Sequence, residues 1–384
     1  MQPRTILYVG NFFFALFAAL ITYILLPYLS SFMPAAYAGL VIAGGAFVAV
    51  IGFPFLPYLV ERYGAQQLAL IFAIIEMVAL LIIAAAPGAI AASILIALAI
   101  SLQPLLSYEL DLLLEATVAE EGTTGRVRTL FITAWNVAAL AAPLLLGALL
   151  ADADAYGRMF LVAGAALVPF IALFATRRLP RSAPVKFSHM SDTLRCILRD
   201  RDLAAVTFGH FLLYSFYIWV SLYIPFYLHT VLGIPWSDLG WIFSIMLIPY
   251  ALIEYPAGWV ADRFIGDKEL MLAGFLIVGG ALASISLLTS TSSLLLILCI
   301  LVISRCGAAL IESMTEGHFF RRVSERDVNS IGIFRGVWPL AYLIAPIASS
   351  LILMFGTYEM LFVLTGGFIA LVGAGTTLLI KDFR

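Results

Sequence analysis

Twelve stretches of this chain pass with few or no charged side chains, each close to the ~20 residues an α-helix needs to cross the hydrocarbon of a bilayer. They run over residues 6–29, 36–59, 67–86, 90–113, 128–150, 157–176, 204–229, 238–260, 269–289, 294–317, 330–354 and 359–380. Nothing else in the sequence restricts the fold so tightly. Lipid offers no water to backbone N–H and C=O groups, so a crossing segment must satisfy them itself, as a helix does. Composition agrees. Of the 384 residues 63% are hydrophobic and 11% are charged, against about 25% charged in a soluble domain. A water-soluble fold has no place for that much apolar surface. The expectation is an all-α polytopic membrane protein with 12 transmembrane helices.

Most connectors are short, so consecutive helices run antiparallel. The exception, Arg177 to Asp202, holds Pro180, Pro184 and seven basic residues and falls midway. It divides the chain into a six-helix bundle over 1–176, a cytoplasmic linker over 177–203 and a second six-helix bundle over 204–384. The halves are also copies of each other. Moved back by 203 positions, Glu312 falls on Glu109, Phe334 on Phe131, Trp338 on Trp135, Ala341 on Ala138, and Ala345-Pro346 on Ala142-Pro143. Self-similarity at half the chain length signals two related bundles, which in membrane proteins commonly face each other across a central site.

Basic residues set the orientation, because Lys and Arg gather on the cytoplasmic side. With the N-terminus inside, that side holds Arg4, Arg62, Arg126, Arg128, the basic linker, Arg263, Lys268, Arg321, Arg322, Arg326, Lys381 and Arg384. Arg158 is the exception on the outer side, where Asp152, Asp154 and Asp238 lie. Both termini are therefore expected in the cytoplasm of a plasma or inner membrane. The N-terminus runs from Met1 straight into an apolar segment without a cleavable pattern, and reads as a retained first helix.

The first helix of each half carries a polar stripe at helical spacing: Asn11, Ala15, Ala18 and Thr22 in one, His210, Tyr214, Tyr217 and Ser221 in the other. Each ends near a proline, Pro27 and Pro225, that kinks the helix and frees carbonyls. The first stripe is small and the second bulky, so the halves would line a shared cavity differently.

Ionisable groups within the spans cost about 2.5–3.5 kcal/mol each at a helix centre. Arg305 stands near mid-bilayer, with Glu312 two turns along the same face, roughly 10 Å away, and Glu316 a turn further. Two readings of Arg305 stand: it holds an anionic group in the cavity or tunes a carboxylate, or it ties helices together. Glu312 and its copy Glu109 could form gate bridges with Arg335, Arg126 or Arg128, or carry a proton. Glu254, between Pro249 and Pro256, and Glu76, midway along the third span, have no basic neighbour in sequence. Asp111 and Glu115 read as a solvated helix end. His210 could titrate near neutral pH, though an interfacial hydrogen bond is the plainer role, and His318 and His229 also read as interfacial.

The turn after the eighth span, Gly258-Trp259-Val260-Ala261-Asp262-Arg263-Phe264-Ile265-Gly266-Asp267-Lys268, resembles the loop signature of the major facilitator superfamily, Gly-x-x-x-Asp-Arg-x-Gly-Arg-Arg/Lys, with one extra residue before the second glycine. The turn after the second span matches less well: Pro57 replaces the leading glycine, Glu61 the aspartate, and Gln66 and Gln67 the distal basic pair, while Arg62 and Gly64 are kept. The resemblance covers the whole chain through its twelve spans, its 6+6 split and its basic linker. It implies alternating access about a midplane site lined by the first and fourth helices of each half. It also implies that Asp262, Arg263, Glu61 and Arg62 latch one face. Ala142-Pro143-Leu144-Leu145-Leu146-Gly147 partly echoes the Gly-Pro-x-x-Gly-Gly of proton-driven exporters, although Ala345-Pro346 repeats its core.

Several classes are excluded. The net charge of −2 suggests no nucleic-acid partner, and Cys196, Cys299 and Cys306 make neither metal spacing nor a disulfide framework. There is no phosphate-cradling glycine loop, metal cluster or nucleophile triad, so neither enzyme nor cofactor chemistry is expected. The expectation is a monomeric, proton-coupled secondary transporter of a small organic solute, leaning to export. An importer of the same fold, or a receptor or scaffold without turnover, stays open.

Overall fold

The computed structural model describes residues 2–117, 124–151, 154–180, 190–323 and 328–381; within these, side chains are described except at 124–126, 128, 190–191, 254–255, 262 and 328–329. Each apolar run is a helix: α1 Pro3–Ser30, α2 Ala35–Tyr63, α3 Ala65–Ala84, α4 Ala89–Glu115, α5 Thr129–Leu149, α6 Tyr156–Thr176, α7 Arg201–Val231, α8 Trp236–Ile265, α9 Asp267–Leu287, α10 Leu294–Arg322, α11 Ser330–Phe355 and α12 Tyr358–Thr377. Among the described residues there is no strand. Several helices start on short polar side chains that satisfy free N–H groups. Ser293 accepts from Leu296 N, Thr357 from Met360 N, and Asp200 from both Asp202 N and Leu203 N.

The chain forms two compact units, residues 1–186 with 234–244, and residues 187–233 with 245–384. In the first, α1 packs on α5 and α6, α3 on α4 and α6, and α2 on α4. In the second, α7 packs on α10, α11 and α12, α9 on α10 and α12, and α8 on α10. The pairs 1–5, 3–6, 3–4 and 2–4 thus recur as 7–11, 9–12, 9–10 and 8–10, so the internal duplication is a duplication of packing.

The first unit takes in the opening turns of α8, through contacts that small residues allow. Gly147 and Gly240 meet so closely that a Cβ on Gly240 would lie 2.6 Å from Pro143 O and 2.7 Å from Gly147 Cα. Ser244 Oγ donates to Leu140 O at 2.9 Å, Trp236 Nε1 to Asp154 at 3.0 Å, and Tyr23 stacks on Phe243. In the second unit, Gly279 and Gly366 bring α9 and α12 together in the same way.

The two signature turns close on glycines with positive φ, Gly64 at 84° and Gly266 at 97°, a conformation that disfavours side chains. They differ by one residue, and the backbone shows where it goes. Gly64 N bonds Val60 O, four residues back, whereas Gly266 N bonds Ala261 O, five back. A π-turn over Ala261–Ile265 absorbs the additional residue. Two more π-turns, Trp219–Tyr223 and Tyr227–Val231, flank Pro225 in α7, so the kink expected there is spread over wider turns. Within the basic linker lies a helix, Met190–Arg199, packed on α7 and α11.

Candidate functional site

A string of charged and aromatic side chains runs through the second unit along one face of α10. Positions 305, 312 and 316 are seven and four apart, which places them on that face. Arg305 is 3% exposed. Its guanidinium lies over the rings of Phe216, Tyr217 and Tyr250, at 5.4, 5.8 and 6.0 Å from their centroids, an arrangement in which ring quadrupoles attract the cation. Nη1 reaches Tyr250 Oη at 3.5 Å, and Nε has no partner among the described residues. Arg305 pairs with no carboxylate among those residues.

Tyr217 links this cage to the acid beyond it. Its ring packs edge-on to Tyr250, and its hydroxyl donates to Glu312 Oε2 at 2.5 Å. One turn on, Arg335 of α11 pairs with Glu316 at 2.5 Å while its guanidinium lies over Phe320 and Phe334. Two cations and two carboxylates thus balance along one path, with two tyrosines between Arg305 and Glu312.

His210 closes the far side. It is fully buried, stacked on Phe334 with centroids 4.1 Å apart, and Phe334 stacks in turn on Phe319. His210 Nδ1 lies 3.0 Å from Thr315 Oγ1, which donates its own proton to Glu312 O at 3.2 Å. The pair His210–Thr315 thus ties α7 to α10. Nε2 is left without a partner among the described residues. His210 is thus enclosed by protein on every side. Tyr214 sets its ring edge-on to both His210 and Tyr217, and Ser221 is half-buried.

His318 stands in a second cluster of charged groups. It is 1% exposed, with Nε2 3.1 Å from Asp202 and Nδ1 3.1 Å from Asp267. Arg321 pairs with Asp267, and Arg322 with Asp200 at 2.8 Å and Asp202 at 3.5 Å. Lys381 N donates to Asp202 Oδ1 at 2.8 Å. This clasp joins the starts of α7 and α9 to the ends of α10 and α12. Burial alone would raise the Asp200 carboxyl, but the amides of Leu203 and Asp202 and the Arg322 guanidinium outweigh it and hold it below its ordinary value.

The first unit is less polar. Asn11 is buried and donates its amide to Phe131 O at 2.8 Å, so it fastens α1 to α5. Thr22 bonds its own helix at Ala18 O. Glu109 is fully buried with both carboxylate oxygens unpartnered among the described residues, and so is Glu76. The duplicated acids have thus diverged: Glu312 receives a tyrosine hydroxyl and Glu109 receives nothing described. Asp111 is half-buried and Glu115 exposed.

At the signature turns, Glu61 and Arg62 are exposed, with Arg62 near Tyr58 Oη and over Tyr63. Arg263 lies over Trp259. The side chains of Arg126, Arg128, Glu254 and Asp262 fall outside the described residues. Tyr250, Phe216 and Thr315 join the site without a motif of their own in the sequence. The proline-flanked Pro249-Tyr250 pair was the one visible pointer.

Twelve helices long and apolar enough to cross a membrane, in two units with one packing scheme, define a polytopic membrane protein. The sequence matches the Major Facilitator Superfamily over residues 7–314 and 237–382, and the chain belongs to that family. A bacterial homolog of the human lysosomal transporter Spinster, solved inward-facing and occupied, is similar with TM-score 0.77 over 98% of this chain and 95% of its own, at 15% identity. The nucleoside transporter NupG is similar with TM-score 0.76 over 99% of each chain at 14% identity. A NupG point mutant gives 0.75 over 99% and 100%, also at 14%. At these identities the shared property is the fold. Comparison with curated protein sequences gives no match. Members of this family are transporters and not enzymes.

Proposed function

We infer that this chain is a proton-coupled secondary carrier that exports a small organic solute bearing an anionic group, by alternating access. It would work as a monomer in a plasma or inner membrane with both termini in the cytoplasm. The supporting observation is Arg305: buried to 3% exposure, caged by three aromatic rings and without a carboxylate partner among the described residues. A planar cation so placed suits a carboxylate or phosphate, and the rings suit the apolar body attached to it. Glu312 is the coupling group in this reading, because Tyr217 donates to it and protonation would weaken that bond. The Ala142-Pro143 to Gly147 stretch supports the export direction.

The test is a proteoliposome assay with an imposed pH gradient and a panel of anionic, neutral and cationic amphiphiles. Anionic solutes should move against their gradient in the wild type. Arg305→Gln should lose them while keeping the fold, and Arg305→Lys should keep partial transport. Glu312→Gln should retain exchange without the pH drive. Equal handling of anions by wild type and Arg305→Gln would overturn the substrate reading. An unaltered pH drive in Glu312→Gln would overturn the coupling reading.

A further inference from the structure

The helix Met190–Arg199 takes no part in the charged string, yet its residues fall in a telling order around its axis. Ile197 is 2% exposed on the side where the helix packs against α7 and α11. Next round the helix come Leu194 and Leu198, one turn apart and 43% and 65% exposed. Then come Arg195 and Arg199, also one turn apart and exposed. Asp192 and Cys196, exposed as well, lie beyond them. Four zones follow one another: protein, bare leucine, bare arginine and polar surface.

The position of the helix says what these zones meet. It ends at Arg199, two residues before the membrane-crossing α7 begins at Arg201. Asp200, between them, caps α7 and pairs with Arg322 of α10. The helix is thus tied to the charged ends of two helices long and apolar enough to cross a membrane. The Arg195–Asp192 contact, 3.7 Å between side chains 73% and 63% exposed, is too wet to occupy the guanidinium. An amphipathic helix in that place buries its leucines among upper acyl carbons and presents its arginines to headgroup phosphates.

We propose that Met190–Arg199 is an interfacial helix that docks on anionic phospholipid headgroups, with Leu194 and Leu198 in the acyl region and Arg195 and Arg199 on the phosphates. The occupant is the bilayer in which the protein sits. Charge complementarity and continuity with α7 argue for it over a soluble partner.

The full chain in nanodiscs tests this, with phosphatidylcholine alone or mixed with phosphatidylglycerol. A bimane label is placed either at native Cys196, with Cys299→Ser and Cys306→Ser, or at Leu198→Cys in a background that also carries Cys196→Ser. These sites are two residues apart on different faces. The label at 198 should be quenched by lipids spin-labelled near the headgroup and shielded from aqueous iodide; the label at 196 should show the reverse. Leu194→Cys repeats the test should Leu198→Cys fold poorly.

Retention of phosphatidylglycerol through purification should fall about fivefold per arginine in Arg195→Gln and Arg199→Gln at low salt, and be kept in the corresponding lysine variants. Equal iodide access at 196 and 198, as a soluble partner surface would give, overturns the proposal. So does undiminished lipid retention in the double glutamine variant.

Discussion

Arg305 stands where a charge is costly, at about 2.5–3.5 kcal/mol near a helix centre, and three rings offset part of that cost. Its neighbour Tyr217 supports Glu312 through one hydroxyl. Tyr217→Phe should therefore destabilise the protein by about 0.5–1.5 kcal/mol, the net worth of one hydrogen bond to this half-buried acceptor. A lower thermal midpoint, with the helical content unchanged, is the expected reading. Trp219→Phe is a milder test. It removes the 2.8 Å bond from Nε1 to Ser349, but Ser349 still donates to Ala345 O, so about 0.5–1.5 kcal/mol should be lost. The sequence made Arg305, Glu312 and Glu316 visible as a one-faced charge series. Arg335 was legible too, as a cation able to bridge to this series, whereas Tyr250 was not: only the packing of α7, α8 and α10 brings it to Arg305.

Among elements, paired glycines decide how closely helices approach. A Cβ on Gly279 would lie 2.5 Å from Gly366 O and 2.6 Å from Ala370 Cβ, whereas one on the adjacent Gly280 meets nothing within 4 Å. Gly279→Ala should cost about 1–3 kcal/mol by forcing α9 from α12. Gly280→Ala should be neutral or stabilise by up to about 1 kcal/mol through helix propensity. Thermal unfolding of the two variants side by side checks this, and similar midpoints would contradict the packing. At this scale the sequence was most readable, because span length and charge depletion are local properties. The first run, read as 6–29, is α1 Pro3–Ser30, and the tenth, 294–317, is α10 Leu294–Arg322. The extension of α10 escaped detection because its last turns carry His318, Arg321 and Arg322, which look like loop until Asp200, Asp202 and Asp267 are seen to receive them.

For the molecule as a whole, that clasp makes stability depend on pH. Asp200 is held below its ordinary value in the folded state. Its contribution is present above the unfolded carboxyl value of about 3.9 and is lost as pH falls through the lower, folded one. The Arg322 and Asp200 side chains are 24% and 35% exposed, so the effect is about 0.2–1 kcal/mol and weakens with salt. Thermal midpoints in nanodiscs should drop on acidification below about pH 4, and Arg322→Gln should blunt the drop. Fold class was legible at this scale from the spans and the 203-residue repeat. The helix inside the linker was not, because it is 10 residues long and carries charges, so no apolar run marks it.

The π-turn at Ala261–Ile265 has a wider meaning. Had the surplus residue been threaded through as ordinary helix, every side chain beyond it would have swung by about 100° and α9 would have offered the wrong flank to α10. Because the swelling is spent within a single loop of backbone, α9 keeps the flank that packs on α10 despite the surplus residue.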